Sequence, residues 1–310
     1  MPMRALILIL AAVAAFPLAG CTKNAATGRS QLVFMSRERE IALGEESKAQ
    51  LTASYGGMYA SAGAQDYVTE IGSRLAELTE ADNPSLPWEF TLLDSDVVNA
   101  FALPGGKVFV SRGLVSRLAN EAELACVLGH EVGHVTAEHV DERISRQMLV
   151  TVGAVAAGVA AQESDDEWVR RAAPVVLGVG ATGYLLKFGR DQELEADQLG
   201  MRYAARAGYN PAGLIGVLEV LKEEAGGGGG ALDELFSTHP DPDRRLARAR
   251  ERLDDQYNGG SGALERDRFE SQLRMMLGAA PAVGRPGVAS AWCGTCSDQE
   301  SDALAAAAAE

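Results

Sequence analysis

Two histidines and a glutamate stand close together near the middle of the chain, in the run His130-Glu131-Val132-Gly133-His134. On an α-helix a step of four residues turns about 400° and rises about 6 Å, so both imidazoles lie on one face and can bind one metal ion. Glu131 lies beside that face, where its carboxylate can take a proton from a metal-bound water and later return it. The alternative is a core helix with two hydrogen-bonded histidines, but the small and apolar neighbours of the run suit a buried catalytic helix.

A catalytic zinc ion is usually held by three protein side chains and keeps one open position, so a third ligand must be found. The pattern HExxHxxGxxH, which would supply a third histidine nearby, is absent from the sequence. His139 follows His134 by five residues, about 140° around a continuous helix. We therefore predict that His139 points away from the metal and is bonded to its neighbours.

A helix predicted farther along the chain supplies acidic candidates. Glu193 shares a stripe of this helix with Asp197 and with small residues that allow close approach to the first helix, whereas Glu195 falls on a different face. We predict that His130, His134 and Glu193 bind one zinc ion per chain. Asp197, one turn after Glu193, is placed to accept a hydrogen bond from the far nitrogen of a ligating histidine.

Hydrophobic periodicity and turn residues predict the elements that position these side chains. Helices are predicted over residues 36–54, 64–79, 191–207 and 242–253, strands over 88–93, 97–103 and 107–111, and packed helices or a flap over the apolar segments 148–161 and 172–188. Asn120 and Glu123 form the capping box of the central helix, which we expect to reach about Val140. The predicted class is α+β, mostly helical, with a small and mostly antiparallel sheet.

Length and composition are those of one folded domain. The chain has 310 residues and 47% hydrophobic content, and we predict a catalytic domain over residues 36–255 followed by a poorly defined tail over 256–310. Its formal charge of -15 lacks the basic footprint of a nucleic-acid binder, so we expect no nucleic-acid partner. Cys293 and Cys296 form a CxxC in the tail, which is a candidate disulfide rather than a second metal site.

The first twenty residues follow a different pattern. Arg4 precedes the apolar run 5–16, which is shorter than a membrane-spanning helix, and small residues lead into Cys21. Leu18-Ala19-Gly20-Cys21 resembles the lipobox of bacterial lipoproteins, so we predict a signal peptide over residues 1–20, lipid on Cys21 and a polar tether over 21–35. An uncleaved anchor helix is the alternative. By resemblance to lipoprotein sorting in enteric bacteria, the presence of Thr22 rather than aspartate after the cysteine favours the outer membrane.

Taken together, these motifs resemble peptidase family M48. The features that carry the resemblance are the run 130–134, the pair Glu193 and Asp197, Thr238-His239-Pro240 with the basic helix after it, and the segment 99–106 before the central helix. The resemblance covers roughly residues 31–250. It implies a gluzincin-type fold with the same three zinc ligands and with Glu131 as the catalytic carboxylate.

The resemblance also implies roles for residues that spacing alone does not connect to the metal. An edge strand near Asn99, Ala100 and Phe101 is expected to bind a substrate in extended form. His239 and Arg245 are expected near the zinc, where a cationic or donor group would stabilise the developing oxyanion. A neutral His239 could instead occupy the open metal position and keep the enzyme latent, or could cap nearby backbone with no role in the site.

The motifs are most similar to those of periplasmic members, which include outer-membrane lipoproteins that act in envelope quality control. We therefore expect a zinc endopeptidase that cleaves misfolded or misassembled envelope proteins at the periplasmic face of the outer membrane. The alternative is a zinc-containing periplasmic chaperone or assembly factor that binds extended chains with little cleavage. The intact Glu131 argues against a protein that has lost its catalytic base.

Overall fold

The computed structural model of the chain describes residues 21–81, 83–162, 188–226 and 232–278. The strands are β1 (Cys21–Lys23), β2 (Ser30–Leu32), β3 (Glu89–Leu93), β4 (Ala100–Leu103) and β5 (Lys107–Ser111). The helices are α1 (Arg37–Ser54), α2 (Ala62–Ala76), α3 (Arg112–Val115), α4 (Glu121–Thr136), α5 (His139–Gln162), α6 (Arg190–Arg206), α7 (Gly213–Gly226), α8 (Asp233–Thr238), α9 (Pro242–Tyr257) and α10 (Arg266–Arg268), and a π-helical turn (Phe269–Arg274) follows. The predicted α+β class, mostly helical with a small sheet, is confirmed.

Some predicted features lie outside the described residues. They are the signal peptide over residues 1–20, the pair Cys293 and Cys296, and all of the apolar segment 172–188 except Phe188. Within the described ranges, no helix combines the length and the apolar character needed to cross a membrane.

The sheet of β3, β4 and β5 is mixed, which corrects the prediction of a mostly antiparallel sheet. Its strand order is β3-β5-β4, with β5 parallel to β3 and antiparallel to β4. Each strand does run opposite to the one before it in the chain. However, β4 does not pair with β3, because β5 lies between the two strands. The turn into β5 uses Gly105 and Gly106 at φ 74° and 83°, a region that favours glycine. As a result β4 lies at a sheet edge, next to α4.

The central helix α4 starts where the sequence predicts. The Asn120 side chain accepts a hydrogen bond from the Glu123 amide at 3.0 Å, and the Glu123 carboxylate accepts one from the Ala119 amide at 2.7 Å. Every residue of α4 is buried. The helix is therefore enclosed by the rest of the domain.

Small residues let α6 pack closely along α4. A Cβ atom on Gly200 would lie 2.8 Å from the backbone nitrogen of His130, and one on Gly133 would lie 3.0 Å from the carbonyl oxygen of Ala196. A larger side chain at either position would push the two helices apart. The close approach is what brings the acidic residues of α6 next to the histidines of α4.

The prediction that the central helix reaches Val140 is wrong. The helix ends at Thr136, Glu138 adopts a left-handed conformation with φ 55°, and α5 begins at His139. The Asn24 side chain donates a hydrogen bond to the Thr136 carbonyl at 2.8 Å. This break is therefore stabilised by residues from the other end of the described chain, which local periodicity does not register.

Both ends of the predicted domain continue into structure. Residues 21–35, which we predicted as a tether, contain the antiparallel hairpin of β1 and β2, and Asn24 and Gln31 within it are buried. After α9, the side chains of Phe269 and Leu273 are fully buried in the hydrophobic core. Arg268 donates to the buried carboxylate of Glu121 at the start of α4.

Candidate metal centre

Four side chains converge in the interior between α4, α6 and the residue that follows α8. His130, His134, Glu193 and His239 each place one ligand atom within 4.8 Å of the ligand atoms of the other three, and all four residues are buried. The structure thus brings together the three predicted zinc ligands and the histidine that spacing could not connect to them.

The distances within this cluster fit a tetrahedral metal ion. The Nε2 atoms of His130 and His134 lie 3.0 Å apart, and they lie 3.6 and 3.4 Å from the nearer carboxylate oxygens of Glu193. Ligand atoms bound at 2.0–2.1 Å around a tetrahedral zinc ion are separated by about 3.3 Å. Two imidazoles and one carboxylate are also a donor set that catalytic zinc uses. The residues present therefore fit a zinc ion.

The ring of His130 contacts the carboxylate of Asp197. His130 Nδ1 lies 2.8 Å from Asp197 Oδ1, which leaves Nε2 facing the cluster. Burial opposes ionisation of Asp197, but the charge of Arg245 prevails and lowers its pKa to about 2. The carboxylate is therefore ionised and accepts the hydrogen bond from His130.

The ring of His134 is held on two sides. Phe188, which precedes α6, stacks on it with the ring centroids 3.7 Å apart. The Nδ1 atom of His134 lies 2.8 Å from Nδ1 of His139. The Nε2 atom of His139 in turn lies 2.9 Å from the Glu195 carboxylate. Because the helix breaks after Thr136, His139 turns back toward His134, which a continuous helix would not allow. His139 stays outside the ligand cluster but contacts one of its members.

Glu131 supplies an acceptor beside the cluster. Its side chain is buried, and within the described part of the chain its Oε2 atom has no hydrogen-bond partner. Burial raises the pKa of this carboxyl above its ordinary value, although His239 and His130 nearby act in the opposite direction. A buried carboxylate with a free oxygen costs stability unless it binds something, so this atom is placed to take a proton from a bound water.

His239 joins the cluster to the sheet. Its Nδ1 lies 3.1 Å from Glu193 Oε1 and 3.4 Å from His130 Nε2, and its Nε2 lies 3.3 Å from the carbonyl oxygen of Ala100 in β4. Burial acts to lower the pKa of His239, but the carboxylates of Glu193 and Glu131 raise it above its ordinary value. This side chain is close enough to the ligand atoms either to bind a metal or to contact a molecule bound to one.

Arg245 lies behind the ligands. Its Nε and Nη2 atoms contact Asp197 at 2.8 and 2.7 Å, and its Nη1 contacts Glu193 Oε2 at 2.9 Å. These contacts use the guanidinium to hold two carboxylates in place, and Arg245 also lines the cleft beside His130 and Glu131.

A mostly apolar cleft opens beside His130, Glu131 and His239. Of the three residues predicted for the substrate strand, Ala100 lines this cleft. Asn99 instead donates to the Tyr55 hydroxyl at 2.9 Å, and the Phe101 ring stacks on Phe109 at 4.8 Å. Other apolar cleft residues include Leu114, Val127, Leu214, Val217, Leu218 and Leu221.

The sequence pattern of peptidase family M48 matches residues 62–253, which is more than half of the chain and includes all four converging side chains. The chain belongs to peptidase family M48. The resemblance predicted from the motifs is therefore confirmed.

Three curated relatives illustrate the range of similarity. The chain is 29% identical over 253 residues to the beta-barrel assembly-enhancing protease of Yersinia pestis, covering 80% of this chain and 51% of the relative. It is 36% identical over 160 residues to the mitochondrial metalloendopeptidase OMA1 of Arabidopsis thaliana, covering 52% and 30%. It is 31% identical over 193 residues to the metalloprotease YcaL of Escherichia coli, covering 60% and 71%. The chain thus spans about half the length of the Yersinia pestis relative.

Sequence reasoning missed part of the support around this M48 site. Helical spacing places His139 and Glu195 away from the predicted ligands, yet His139 contacts both His134 and Glu195. The sequence indicates only that Phe188 ends an apolar segment. Its stacking on His134 depends on tertiary packing, which no local spacing reveals.

Proposed function

We propose that this chain is a zinc-dependent endopeptidase that hydrolyses peptide bonds of misfolded or misassembled cell-envelope proteins. The observation that carries the proposal is the arrangement of the Nε2 atoms of His130 and His134 around the Glu193 carboxylate, with an oxygen of Glu131 left without a partner beside them. A structural metal site does not require an unpaired buried carboxylate beside the ion. Hydrolysis, by contrast, needs a general base at that position.

A zinc ion held by His130, His134 and Glu193 would act as a Lewis acid toward the scissile carbonyl and would lower the pKa of a water molecule bound to it from 15.7 to about 7. The chain's own residues do the proton transfers. Glu131 takes a proton from the attacking water at Oε2 and returns it to the nitrogen of the leaving amine. His130 and His134 keep their Nε2 atoms directed inward because Asp197 and His139 occupy their Nδ1 atoms.

Peptide binding is proposed along β4, which ends its sheet beside the cluster. A substrate in extended form would pair with backbone groups of this strand, and the apolar cleft would receive a nonpolar side chain next to the scissile bond. Recognition through backbone atoms selects for unfolded or flexible chain more than for sequence. This supports misfolded proteins as substrates.

Two independent observations support the proposal that the protein acts in the cell envelope. Leu18-Ala19-Gly20-Cys21 resembles a lipobox, which supports a lipid anchor on Cys21 and the periplasmic face of the outer membrane. The printed name of the Yersinia pestis relative, a beta-barrel assembly-enhancing protease, supports outer-membrane proteins as the substrate class.

Replacing Glu131 with glutamine tests the proposal against a chaperone that binds without cleaving. Glu131→Gln keeps the three ligands and the side-chain volume but removes the base. We expect it to retain zinc and bind an unfolded envelope protein while cleavage stops. Cleavage by the variant at the wild-type rate would refute the proposed chemistry, and a cellular phenotype that survives the substitution would favour the chaperone.

A further inference from the structure

A line of contacts leads from the ligand His134 to the surface of the protein. His134 Nδ1 lies 2.8 Å from His139 Nδ1, and His139 Nε2 lies 2.9 Å from Glu195 Oε2. Both histidines are buried, while the side chain of Glu195 is 22% exposed. Glu195 in turn contacts Arg29, whose Nη2 and Nε lie 3.2 and 3.4 Å from its two oxygens.

Binding of a metal through His134 Nε2 fixes the hydrogens along this line. A neutral imidazole that ligates through Nε2 carries its hydrogen on Nδ1, so His134 must donate to His139. His139 then accepts at Nδ1, carries its own hydrogen on Nε2 and donates to Glu195. Each donor meets one acceptor, and the ionised Glu195 ends the series.

Arg29 connects this series to the N-terminal hairpin. It lies between β1 and β2, and it also makes two contacts of 2.8 and 2.9 Å with Glu142 in the first turn of α5. In the same segment Asn24 donates to the Thr136 carbonyl, and Gln31 donates to Glu138. The hairpin therefore holds the break between α4 and α5 that turns His139 toward His134.

We propose that His139 is a positioning residue that fixes the tautomer and ring orientation of the metal ligand His134, and that Arg29 of the N-terminal hairpin holds His139 in place through Glu195. This inference rests on the proposed metal site. Hydrogen-bond partners of ligating histidines typically contribute 10–100-fold to metal affinity or activity. The hairpin, which begins at Cys21, is then part of the metal centre's support rather than a spacer.

The central test compares two replacements of His139. In His139→Asn the amide oxygen stands near the place of Nδ1 and can still accept from His134, whereas His139→Leu fills the space without an acceptor. The dissociation constant for Zn²⁺ is measured by chelator competition, and the visible absorption spectrum of the Co²⁺-substituted protein reports ligand geometry. We expect affinity to fall about 10–100-fold in His139→Leu, with an altered Co²⁺ spectrum, and to be largely restored in His139→Asn.

Arg29 is tested against an arginine that shares one of its partners. Arg146 contacts Glu142 at 2.7 Å and Arg29 contacts it at 2.8 Å, but among the described residues Arg146 makes no ion pair with Glu195. Arg29→Gln is expected to weaken Zn²⁺ binding by about tenfold, whereas Arg146→Gln leaves it unchanged. Far-ultraviolet circular dichroism and thermal unfolding of the metal-free proteins check that each variant folds.

The outcomes separate this inference from the proposed function. Wild-type affinity and spectrum in folded His139→Leu, equal losses in His139→Leu and His139→Asn, or equal effects of Arg29→Gln and Arg146→Gln would overturn it. A wild-type protein that binds Zn²⁺ but cleaves no peptide would overturn the peptidase alone. A wild-type protein that binds no metal would overturn both.

Discussion

Arg245 and Asp197 form a buried two-point ion pair next to His130, one of the proposed ligands. The guanidinium meets both carboxylate oxygens at 2.7 and 2.8 Å, and one of those oxygens lies 2.8 Å from His130 Nδ1. Arg245 also contacts Glu193 at 2.9 Å. One arginine from α9 thus orders two of the groups on which the proposed metal site depends.

Asp197→Ala is expected to reduce metal affinity or peptidase activity about 10–100-fold, because the His130 ring loses the acceptor that orients it. Asp191→Ala is the matched control. Asp191 lies on the same helix and forms an ion pair at 3.1 Å with Arg244, the residue before Arg245. Its side chain is 93% exposed, so it lies at the surface rather than in the buried cluster. Titration with Zn²⁺ and peptide cleavage measure both variants. A similar loss in the two would mean that Asp197 acts only through the general stability of α6.

The ligand assignment predicts which single substitutions remove the metal. His130→Ala and Glu193→Ala are expected to lose zinc on dialysis, because two remaining ligands do not make a catalytic zinc site. Glu195→Ala, two residues after Glu193, is expected to bind about one zinc per chain when zinc is in excess. Elemental analysis of the dialysed and the zinc-saturated proteins decides this. Full zinc in Glu193→Ala and none in Glu195→Ala would exchange the roles of the two glutamates.

The proposed ligands were predictable because helical spacing is a local property. The separation of His130 and His134 and the stripe of Glu193 and Asp197 follow from 3.6 residues per turn, and the structure places all four together. His239 illustrates what spacing cannot give. Its place depends on long-range contacts of the residue that follows α8 with His130 of α4 and Ala100 of β4, and only the resemblance to the family pointed to it.

The errors in the predicted fold have the same origin. The end of α4 at Thr136 depends on Asn24 and Gln31, which are more than a hundred residues away in the chain. The mixed sheet arises because β5 pairs with β3 as well as with β4. A sheet in which β4 lay between β3 and β5 would satisfy the same hydrophobic pattern. Long-range contacts decide both features, so neither is encoded in a short window of sequence.

His239→Ala is expected to change peptidase activity while zinc is retained, because the ring contacts Glu193 and lies 3.4 Å from His130 Nε2 without being needed to complete three ligands. A loss of about 100-fold or more would indicate stabilisation of the developing oxyanion, since removing one such donor typically costs that much. A gain would indicate that His239 holds the site latent. Steady-state cleavage together with zinc content distinguishes these results, and no change in either would show that His239 has no role in catalysis or metal binding.

Lipid on Cys21 is expected from the lipobox that precedes it. Mass spectrometry of the mature N-terminus should find an acylated cysteine, and Cys21→Ala should accumulate as an uncleaved precursor. Because β1 begins at Cys21, such an anchor would leave little slack between the membrane and the domain. An unmodified Cys21, or cleavage at another residue, would remove the support for outer-membrane attachment.

Asp141 is expected to make the protein less stable as the pH rises from about 4 to about 8. Burial, with the charges of Glu40 and Glu138 nearby and only Arg37 opposing them, raises the pKa of Asp141 to about 8 in the folded protein. The unfolded chain has the ordinary value near 4, so within this window the unfolded state releases a proton that the folded state keeps. Unfolding is therefore favoured progressively up to about pH 8, above which this contribution is constant.

Asp141→Asn removes that titration and should stabilise the protein by an amount that grows across the same window, reaching on the order of a few kcal/mol at pH 8. Urea unfolding of wild type and variant at pH 5 and at pH 8 gives the difference in their free energies of unfolding at each pH. A chelator is present so that metal binding does not contribute. Asp255→Asn, on the exposed face of α9, serves as the control and should show the same small difference at both values. A stabilisation by Asp141→Asn that does not increase with pH would show that the carboxyl is already ionised in the folded state at pH 5, and that its buried environment supplies a partner for the charge.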